Sequence, residues 1–330
     1  MTAATDAASK ALRIVAPGRL HLGFVDLGGA LGRRFGSLGV TLETPSTAVR
    51  VARAEQDAAT GPDADRAAAA RDAVRAALNF HAPLAVQVEE ALLAHNGLGS
   101  GTQLALAVGA GVARLAGMPL TGRALAPLLN RGRRSAIGME AFDGGGVILD
   151  GGRGPNTGVP PLLARLPFPE AWRILLVFDT AREGLSGEAE THAMDHLPPY
   201  PEALAARVSH LLLMQALPAL AEGDIDPFGA AIGEWQRLLG EHYAAAQGGG
   251  RYSSPDVAQV AAFLETEGVS GVGQSSWGPT GFALVGDTGE AERLLEALRT
   301  RFASFTNLSF ACVRGRNEGA AFSAIGAAVP

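Results

Sequence analysis

The residues best suited to chemistry lie in a glycine-rich run that begins at His95. Its glycines at positions 97, 99 and 101 lead directly into a helix-forming segment. Glycine can adopt positive φ and lets a ligand approach the backbone closely. A helix beginning here would present unpaired N–H groups and its positive dipole end. The pattern predicts either an anion-binding loop or a purely structural turn. It is not a Walker loop, because no lysine precedes Thr102.

We predict that an anion is held by the residues from the first glycine to the hydroxyl at the helix start, together with a later arginine. The predicted phosphate-binding residues are Gly97, Leu98, Gly99, Ser100, Gly101, Thr102 and Arg134. Arg134 shares a short turn with Arg131 and Arg133. These guanidinium groups either converge on a phosphate or form a solvated basic helix end.

Carboxylates and imidazoles give two further candidate groups. Asp143 and Asp150 flank a glycine-bounded strand, where they could hold Mg²⁺ beside a polyphosphate, although aspartates are also common in turns. His192 and His196 are four residues apart with Asp195 between them. Their order resembles an inverted zincin only loosely, so we interpret this group as one that binds no metal.

A second glycine-rich stretch, Gly271–Val285, carries an amide, two hydroxyls and an indole. These groups belong to Gln274, Ser275, Ser276 and Trp277. Such a set suits an aromatic or sugar ligand. The alternative is a hairpin turn with a tryptophan in the core.

Composition excludes several classes of protein. The net charge of −6 argues against a general nucleic-acid surface. The sequence has no run of about 18 apolar residues and no signal-peptide layout, so we expect a cytoplasmic protein without a membrane span. Cys312 has no second cysteine to pair with. The only lysine is Lys10, which leaves anions to arginine, backbone N–H groups or metal.

Two domains must position these residues. Residues 1–11 are predicted to be a disordered leader, 12–155 an N-terminal domain with the glycine-rich loop, and 156–330 a C-terminal domain. The boundary is placed in a Gly/Pro-rich stretch. Beyond it, with the helix at 226–246 set aside as an insertion, the predicted order is strand, helix, strand pair, helix, strand. This is the split βαβ pattern.

Three segments together resemble motifs one, two and three of the GHMP superfamily, named for galactokinase, homoserine, mevalonate and phosphomevalonate kinases. The segments are Ala16–Phe24, Gly97–Thr102 and Gly271–Thr280. The resemblance covers nearly the whole chain. It implies an α+β, GHMP-kinase-like fold with a left-handed βαβ N-terminal domain and a ferredoxin-like C-terminal domain, with phosphates in the motif-two loop.

The chain also departs from the kinase pattern. The second serine of motif two, commonly a Mg²⁺ ligand in the kinases, is Gly101, and the base segment appears near Ser135–Glu140 without its aspartate. The forms of motifs one and three instead resemble the β-ribofuranosylaminobenzene 5′-phosphate synthases, a non-kinase branch of the superfamily.

This resemblance implies a decarboxylating phosphoribosyltransferase of tetrahydromethanopterin biosynthesis. It would transfer the 5-phosphoribosyl group from phosphoribosyl pyrophosphate to 4-aminobenzoate or 4-hydroxybenzoate and release CO₂ and pyrophosphate. The alternatives are an ATP-dependent small-molecule kinase and a non-catalytic phosphosugar-binding homologue.

The resemblance also implies residue roles. The predicted catalytic residues are Arg19, His21, Asp26 and Glu140. The predicted substrate-binding residues are Gln274, Ser275, Ser276 and Trp277. Mg²⁺ is the expected cofactor, with Asp143 as the predicted ligand and Asp26 and Glu140 as further candidates for metal binding or charge balance. The expected partners are the small-molecule substrates, with no nucleic acid and no membrane, and a homodimer is compatible with the sequence.

Overall fold

The computed structural model describes residues 10–184 and 192–326, so most of the predicted leader lies outside it. Within these ranges the strands are β1 (Ala11–Asp26), β2 (Phe35–Arg53), β3 (Ala58–Thr60), β4 (Leu84–Glu90), β5 (Val147–Asp150), β6 (Leu162–Leu166), β7 (Arg173–Asp179), β8 (Val272–Gln274), β9 (Gly281–Val285), β10 (Leu308–Val313) and β11 (Ala321–Ile325). The α-helices of the same ranges are α1 (Ala64–Ala77), α2 (Ser100–Leu115), α3 (Gly122–Leu128), α4 (Ile137–Gly144), α5 (Glu202–Leu211), α6 (Leu217–Glu222), α7 (Ile225–Tyr243), α8 (Pro255–Thr266) and α9 (Thr288–Arg301). A π-helical turn, Leu212–Ala216, joins α5 to α6.

The first sheet contains seven strands in the described part of the chain. Its main path is β11-β1-β2-β4-β3, with β5 paired to β2 and β6 to β5. β1 continues through Pro17 and Gly18, although this pair is typical of an interrupted strand, because a register shift after Pro17 absorbs the irregularity. β6 and β11 both belong to this sheet. The sheet therefore extends beyond residue 155, where the sequence placed the domain boundary, and takes its edge strand from the end of the described chain.

The second sheet has four strands in the order β10-β7-β9-β8, each pair antiparallel, over the residues described. α8 precedes β8, and α9 connects β9 to β10. This is the strand order expected for the split βαβ pattern, with α5 to α7 inserted after β7. The predicted ferredoxin-like arrangement and the α+β class are confirmed.

Helix α2 is buried on almost every side against the first sheet. The predicted apolar positions Leu104, Val108, Val112 and Leu115 all lie in the core. Small residues let the backbone approach its neighbours closely, and a Cβ at Gly111 would collide with Val51 of β2. This close packing fixes the position of the helix start, where the glycine-rich loop arrives.

A shared hydrophobic core joins the two halves of the molecule. Leu20 and Leu22 of β1 belong to the same buried cluster as Trp235 of α7 and Phe282 of β9. The Trp235 indole N–H donates a hydrogen bond to the Phe24 carbonyl oxygen at 3.2 Å. Helix α7 therefore packs directly against β1.

The helical run Glu202–Glu222 meets the length and composition of a membrane-crossing helix, with a mean hydropathy of 1.3 over its most apolar part. Length and composition are weak evidence, because core helices of soluble proteins also meet these criteria. The run packs its buried side chains, including Val208 and Leu211, into the shared core.

Candidate active site

The glycine-rich loop has the geometry that the sequence predicts for a close backbone approach. Gly97 and Gly99 have φ of 81° and 84°, in the left-handed region that favours glycine. Gly99 caps α2, no side chain caps this end, and the first turn carries no acidic residue. The positive end of the helix dipole is therefore not neutralised from within its own first turn.

A cleft of 490 Å³ opens over this helix end. It is lined by Gly97 and the residues that follow, by Ser276 and Trp277 of the second glycine-rich stretch, and by several arginines. Within the described chain, Asp63 is the one carboxylate residue that lines it. The cleft thus brings motifs one, two and three together around a positively charged surface.

Arg19 of β1 holds the loop through two hydrogen bonds. Its guanidinium donates to the Gly97 carbonyl oxygen, and its backbone N–H donates to the Leu98 carbonyl oxygen at 3.1 Å. A Cβ at Gly99 would lie 3.2 Å from the Arg19 Cζ. Glycine at this position therefore satisfies both the positive φ and the proximity of the guanidinium.

Arg66 and Arg131 approach the same helix end at Gly101. A side chain at Gly101 would collide with the Arg66 guanidinium, and its Cβ would lie 3.6 Å from an Arg131 guanidinium nitrogen. Burial, and then the nearby charge of Arg66, lower the pKa of Arg131. Three guanidinium groups thus surround the first turn of α2.

The three arginines of the predicted turn, Arg131, Arg133 and Arg134, lie in different surroundings. Arg131 lines the cleft, whereas Arg133 is exposed. Arg134 acts electrostatically on His21 and is not among the residues lining the cleft. Leu98, predicted to be part of the phosphate loop, has its side chain in the shared core and contributes its backbone only.

His21 is buried directly behind the cleft, with 4% of its surface exposed. Neither ring nitrogen has a hydrogen-bond partner within the described residues. Burial first, and then the charges of Arg19 and Arg134, lower the pKa of His21 to about 3. The ring is therefore neutral at physiological pH and borders a small cavity of about 20 Å³.

Ser275 links the three motifs. It accepts a hydrogen bond from the His21 backbone N–H at 3.0 Å and donates one to the Gly97 carbonyl oxygen at 2.7 Å. Gln274 is also buried, and its amide bonds to Ser253, Gln247 and Ser276. These contacts make Ser275 and Gln274 positioning residues of the loop, whereas the sequence predicted them to bind substrate.

Ser276 and Trp277 are the members of this loop that reach the cleft. Trp277 is 3% exposed and packs edge to face on Tyr243, with ring centroids 4.8 Å apart. Its indole N–H has no hydrogen-bond partner within the described chain. A buried N–H without a partner is costly, so this indole is a point of unsatisfied polarity in the wall between the cleft and the small cavity beside His21.

Two of the predicted catalytic carboxylates are occupied by the protein itself. Asp26 accepts the backbone N–H groups of Gly28 and Gly29 in a turn. Glu140 is buried, and its oxygens pair with Arg123 at 2.6 Å and Arg165 at 2.7 Å. Neither carboxylate lines the cleft. The sequence could not reveal the Glu140 pairs, because Arg123 and Arg165 come from α3 and β6.

The predicted metal ligands also have internal partners. Asp143 caps α3 by accepting the N–H groups of Gly122 and Arg123, and burial raises its pKa. Asp150 accepts hydrogen bonds from Ser37, among others, and burial raises its pKa as well. These side chains do not fit a metal site in the cleft. Across the residues described, no three potential ligands cluster in a way that could hold an ion.

The histidine pair likewise forms a local contact. The His196 Nδ1 atom lies 2.7 Å from the His192 carbonyl oxygen, and the two rings are 4.0 Å apart. Of the acidic residues nearby, Glu188 and Glu190 lie outside the described residues.

Arg66 is the site residue that sequence reasoning missed. It lies in an alanine-rich helix, α1, whose composition indicates only a helix. Its approach to Gly101 depends on how α1 packs against α2. The missing side chain at position 101, where the kinases have serine, was the one signal that space was needed there.

Comparison with known proteins agrees with this fold. The GHMP kinases N terminal domain model matches residues 65–146, and the GHMP kinases C terminal model matches residues 216–304. The chain is 32% identical over 307 residues to the beta-ribofuranosylphenol 5'-phosphate synthase of Archaeoglobus fulgidus, covering 88% of this chain and 93% of that one. It is 31% identical to the protein of the same name from Methanothermobacter thermautotrophicus, covering 83% and 88%.

Solved structures share the fold at lower identity. A homoserine kinase from Cytophaga hutchinsonii aligns with a TM-score of 0.67 at 15% identity, covering 96% of this chain and 98% of that one. A mevalonate diphosphate decarboxylase from Staphylococcus aureus aligns with a TM-score of 0.65 at 17% identity, covering 95% and 98%. With the three motifs gathered at one cleft and relatives above 30% identity over most of its length, the chain belongs to the beta-ribofuranosylphenol 5'-phosphate synthase family of enzymes, built on the GHMP kinase fold.

Proposed function

We propose that this enzyme transfers the 5-phosphoribosyl group of phosphoribosyl pyrophosphate to a 4-substituted benzoate, with loss of pyrophosphate and CO₂. The name of its relatives describes a ribofuranosylphenol product, which supports 4-hydroxybenzoate over 4-aminobenzoate as the acceptor.

The observation that carries the proposal is the convergence of Arg19, Arg66 and Arg131 on the start of α2. Three guanidinium groups and a helix N-terminus in one cleft suit a polyanionic donor. They also suit the reaction, because negative charge grows on the pyrophosphate oxygens as the bond to C1 of the ribose breaks.

The acceptor supplies its own nucleophile. The 4-substituent donates electron density to the ring carbon that bears the carboxylate, and that carbon forms the bond to C1 of the ribose. The bonding electrons of the departing C–O bond leave with pyrophosphate. The carbon–carbon bond to the carboxylate then breaks, its electron pair restores the aromatic ring, and CO₂ departs. No protein nucleophile is needed, so the residues act by binding and orienting.

We place the aromatic acceptor against Ser276 and Trp277, next to the phosphate loop. Trp277 offers an aromatic face and an N–H group that the protein does not use. His21 lies behind these residues and is neutral at physiological pH. A neutral imidazole can accept a hydrogen bond from the 4-hydroxyl group, directly or through a water in the small cavity.

Mg²⁺ would enter with the donor, bound by its phosphates. The carboxylates predicted as ligands already cap turns and helices or pair with arginine. The chain's own contribution to charge neutralisation is therefore its arginines and the helix end.

The test follows both leaving groups. The purified protein is given phosphoribosyl pyrophosphate, Mg²⁺ and carboxyl-labelled 4-hydroxybenzoate, or the 4-amino compound in parallel. We expect labelled CO₂ and pyrophosphate in equal amounts, because attack by the carboxyl-bearing carbon couples the two losses. Pyrophosphate without CO₂ would indicate donor hydrolysis or attack by the 4-substituent. ATP turnover on a small alcohol, with neither product, would identify a kinase.

A further inference from the structure

Arg66 and Arg131 form a pair of like charges with few internal counter-charges. Both guanidinium groups lie beside Gly101, in the first turn of α2. The ion pair of Arg66 with Asp63 is loose, at 3.4 Å. The Nε of Arg131 is buried and has no hydrogen-bond partner within the described chain. These cations also lie beside the positive end of α2, and Asp63 is the one carboxylate residue among the described residues that line the cleft.

Such an arrangement favours a bound anion. Two guanidinium groups close to each other and to a helix N-terminus repel one another unless an acceptor with several oxygens lies between them. Arginine suits this task because its planar group donates two parallel hydrogen bonds to a phosphate. A diphosphate has enough oxygens to bond both guanidinium groups and the loop N–H groups together.

We propose that Arg66 and Arg131 are a clamp that binds the pyrophosphate portion of the donor directly, and that residue 101 is glycine because Arg66 fills the space beside it. The assignment of pyrophosphate rests on the proposed function. In the clamp, one guanidinium neutralises each phosphate as the C–O bond of the ribose breaks and its electron pair moves to the leaving oxygen. Arg66 and Arg131 thereby select a diphosphate leaving group over a single phosphate.

Binding of inorganic pyrophosphate tests the clamp without any turnover. Titration calorimetry is carried out in EDTA on the full chain and on Arg66→Ala and Arg131→Ala. We expect each variant to lose pyrophosphate affinity by about tenfold or more, the scale of a lost charged hydrogen bond. Arg66→Lys should lie between Arg66→Ala and the parent, since lysine keeps the charge without the fork. The loss should be smaller for inorganic phosphate.

The matched control is Arg133→Ala. Arg133 belongs to the same turn as Arg131, and its replacement by alanine removes the same charge. The residue is exposed and does not line the cleft. Its replacement should leave pyrophosphate affinity nearly unchanged. If Arg133→Ala weakens binding as much as Arg131→Ala does, the effect is general charge and the clamp is wrong.

Gly101→Ser provides a second, independent test. Gly101 lies within α2 and does not have a positive φ, so serine fits the backbone there, but its side chain would displace the Arg66 guanidinium. Gly101→Ser alone should reduce pyrophosphate affinity about as much as Arg66→Ala. In the Arg66→Ala background it should cost little more, because the group it displaces is gone. Strictly additive losses would overturn the role of Gly101.

The outcomes separate the clamp from the proposed reaction. Tight pyrophosphate binding that depends on Arg66 and Arg131, in a protein that releases no CO₂ from a benzoate, would retain the clamp and reject the reaction. Coupled release of CO₂ and pyrophosphate by Arg66→Ala with unchanged pyrophosphate affinity would retain the reaction and reject the clamp.

Discussion

The surroundings of α2 and the surroundings of α4 and β5 both carry clusters of polar side chains. The two regions differ in whether those side chains have partners inside the protein. Around α2, the cleft contains a buried Arg131 Nε and a Trp277 N–H without partners in the described chain. Around α4 and β5, Glu140, Asp143 and Asp150 all accept hydrogen bonds from neighbouring groups. The first region therefore keeps unsatisfied polar groups beside the cleft, where we propose that a ligand binds, and the carboxylates of the second are satisfied by the protein itself.

The difference matters because both regions look alike in sequence. Each has glycines, a helix start and charged residues at short spacing. A buried polar group without a partner costs free energy that only a ligand or water can restore, whereas a paired one contributes to folding. Partner status, which sequence cannot show, distinguishes the two.

The largest effect is expected for Gly99→Val, which should reduce donor affinity by two orders of magnitude or more while the fold is kept. Valine strains a backbone with φ of 84°, and its Cβ would press on the Arg19 guanidinium. Donor binding by calorimetry and the unfolding midpoint by circular dichroism give the two readouts.

Gly117→Val is the matched control for this prediction. Gly117 follows the other end of the same helix with φ of 75°, and no atom lies near its missing Cβ. It should lower stability through the same backbone strain and leave donor affinity unchanged. Unaltered donor affinity in Gly99→Val would remove the loop from the binding site.

The second region is tested by Glu140→Gln. Removing this charge leaves Arg123 and Arg165 partly buried without their carboxylate. We expect the free energy of unfolding to fall by about 3 kcal/mol, with turnover per folded molecule retained. Chemical denaturation followed by fluorescence measures the first quantity.

Glu241→Gln provides the comparison, because it breaks an exposed ion pair with Arg237. Such surface pairs contribute little to stability, so the unfolding curve should hardly move. A loss of turnover in folded Glu140→Gln, without a loss of stability, would restore the catalytic role that the sequence predicted for Glu140.

The sequence predicts the elements well where the pattern is periodic and local. The α2 face follows from a helical period, and the second sheet follows from the order of strands and helices. The sequence analysis assigned neither β6 nor β11. β11 pairs with β1, at the opposite end of the described chain, and β6 pairs with β5 across the Gly/Pro-rich stretch where the sequence placed the domain boundary.

The same reason explains the site. Gly97 and Gly99 were found because glycines before a helix are a local signal, and both have the expected positive φ. Gly101 lies inside α2 instead, where the missing side chain leaves space for Arg66. Arg66 was missed, and the internal pairing of Glu140 was not foreseen, because packing between distant segments decides which charges have partners. Asp26 is held in a local turn outside the cleft lining, and the catalytic roles of Asp26 and Glu140 stay predictions. Which ligands the loop binds stays a prediction.

The buried histidine His21 predicts how the stability of the protein depends on pH. Its pKa is lowered to about 3, below that of an exposed histidine. Between about pH 6.5 and 3 the unfolded chain thus binds more protons at this residue than the folded chain. The contribution of His21 to the free energy of unfolding should therefore be fully present above about pH 6.5, and it should be lost as the pH decreases through this window.

His21→Gln should remove this contribution. In the parent it corresponds to a slope of up to one proton, about 1.4 kcal/mol per pH unit. Unfolding free energies of both proteins are measured at several pH values, and a comparison at pH 8, where both side chains are neutral, gives the packing cost of the substitution. Identical slopes would mean that His21 finds a partner or solvent on protonation.

The smallest effects are expected for a pair of buried tryptophans that differ in the partner of the indole N–H and in their position relative to the cleft. Trp235 donates to the Phe24 carbonyl oxygen, whereas Trp277 has no partner within the described chain and lines the cleft. Trp235→Phe should lower the free energy of unfolding by about 2 kcal/mol, because it strands a buried carbonyl and leaves a void. It should not change the KM for the benzoate.

Trp277→Phe keeps the aromatic contact with Tyr243 and removes an unsatisfied N–H, so its cost in stability should be smaller. Because the lost N–H is the one offered to the acceptor, the KM for the benzoate should rise a few-fold while the KM for the donor stays constant. Equal behaviour of the two variants would show that a missing internal partner does not mark the ligand-binding surface of this protein.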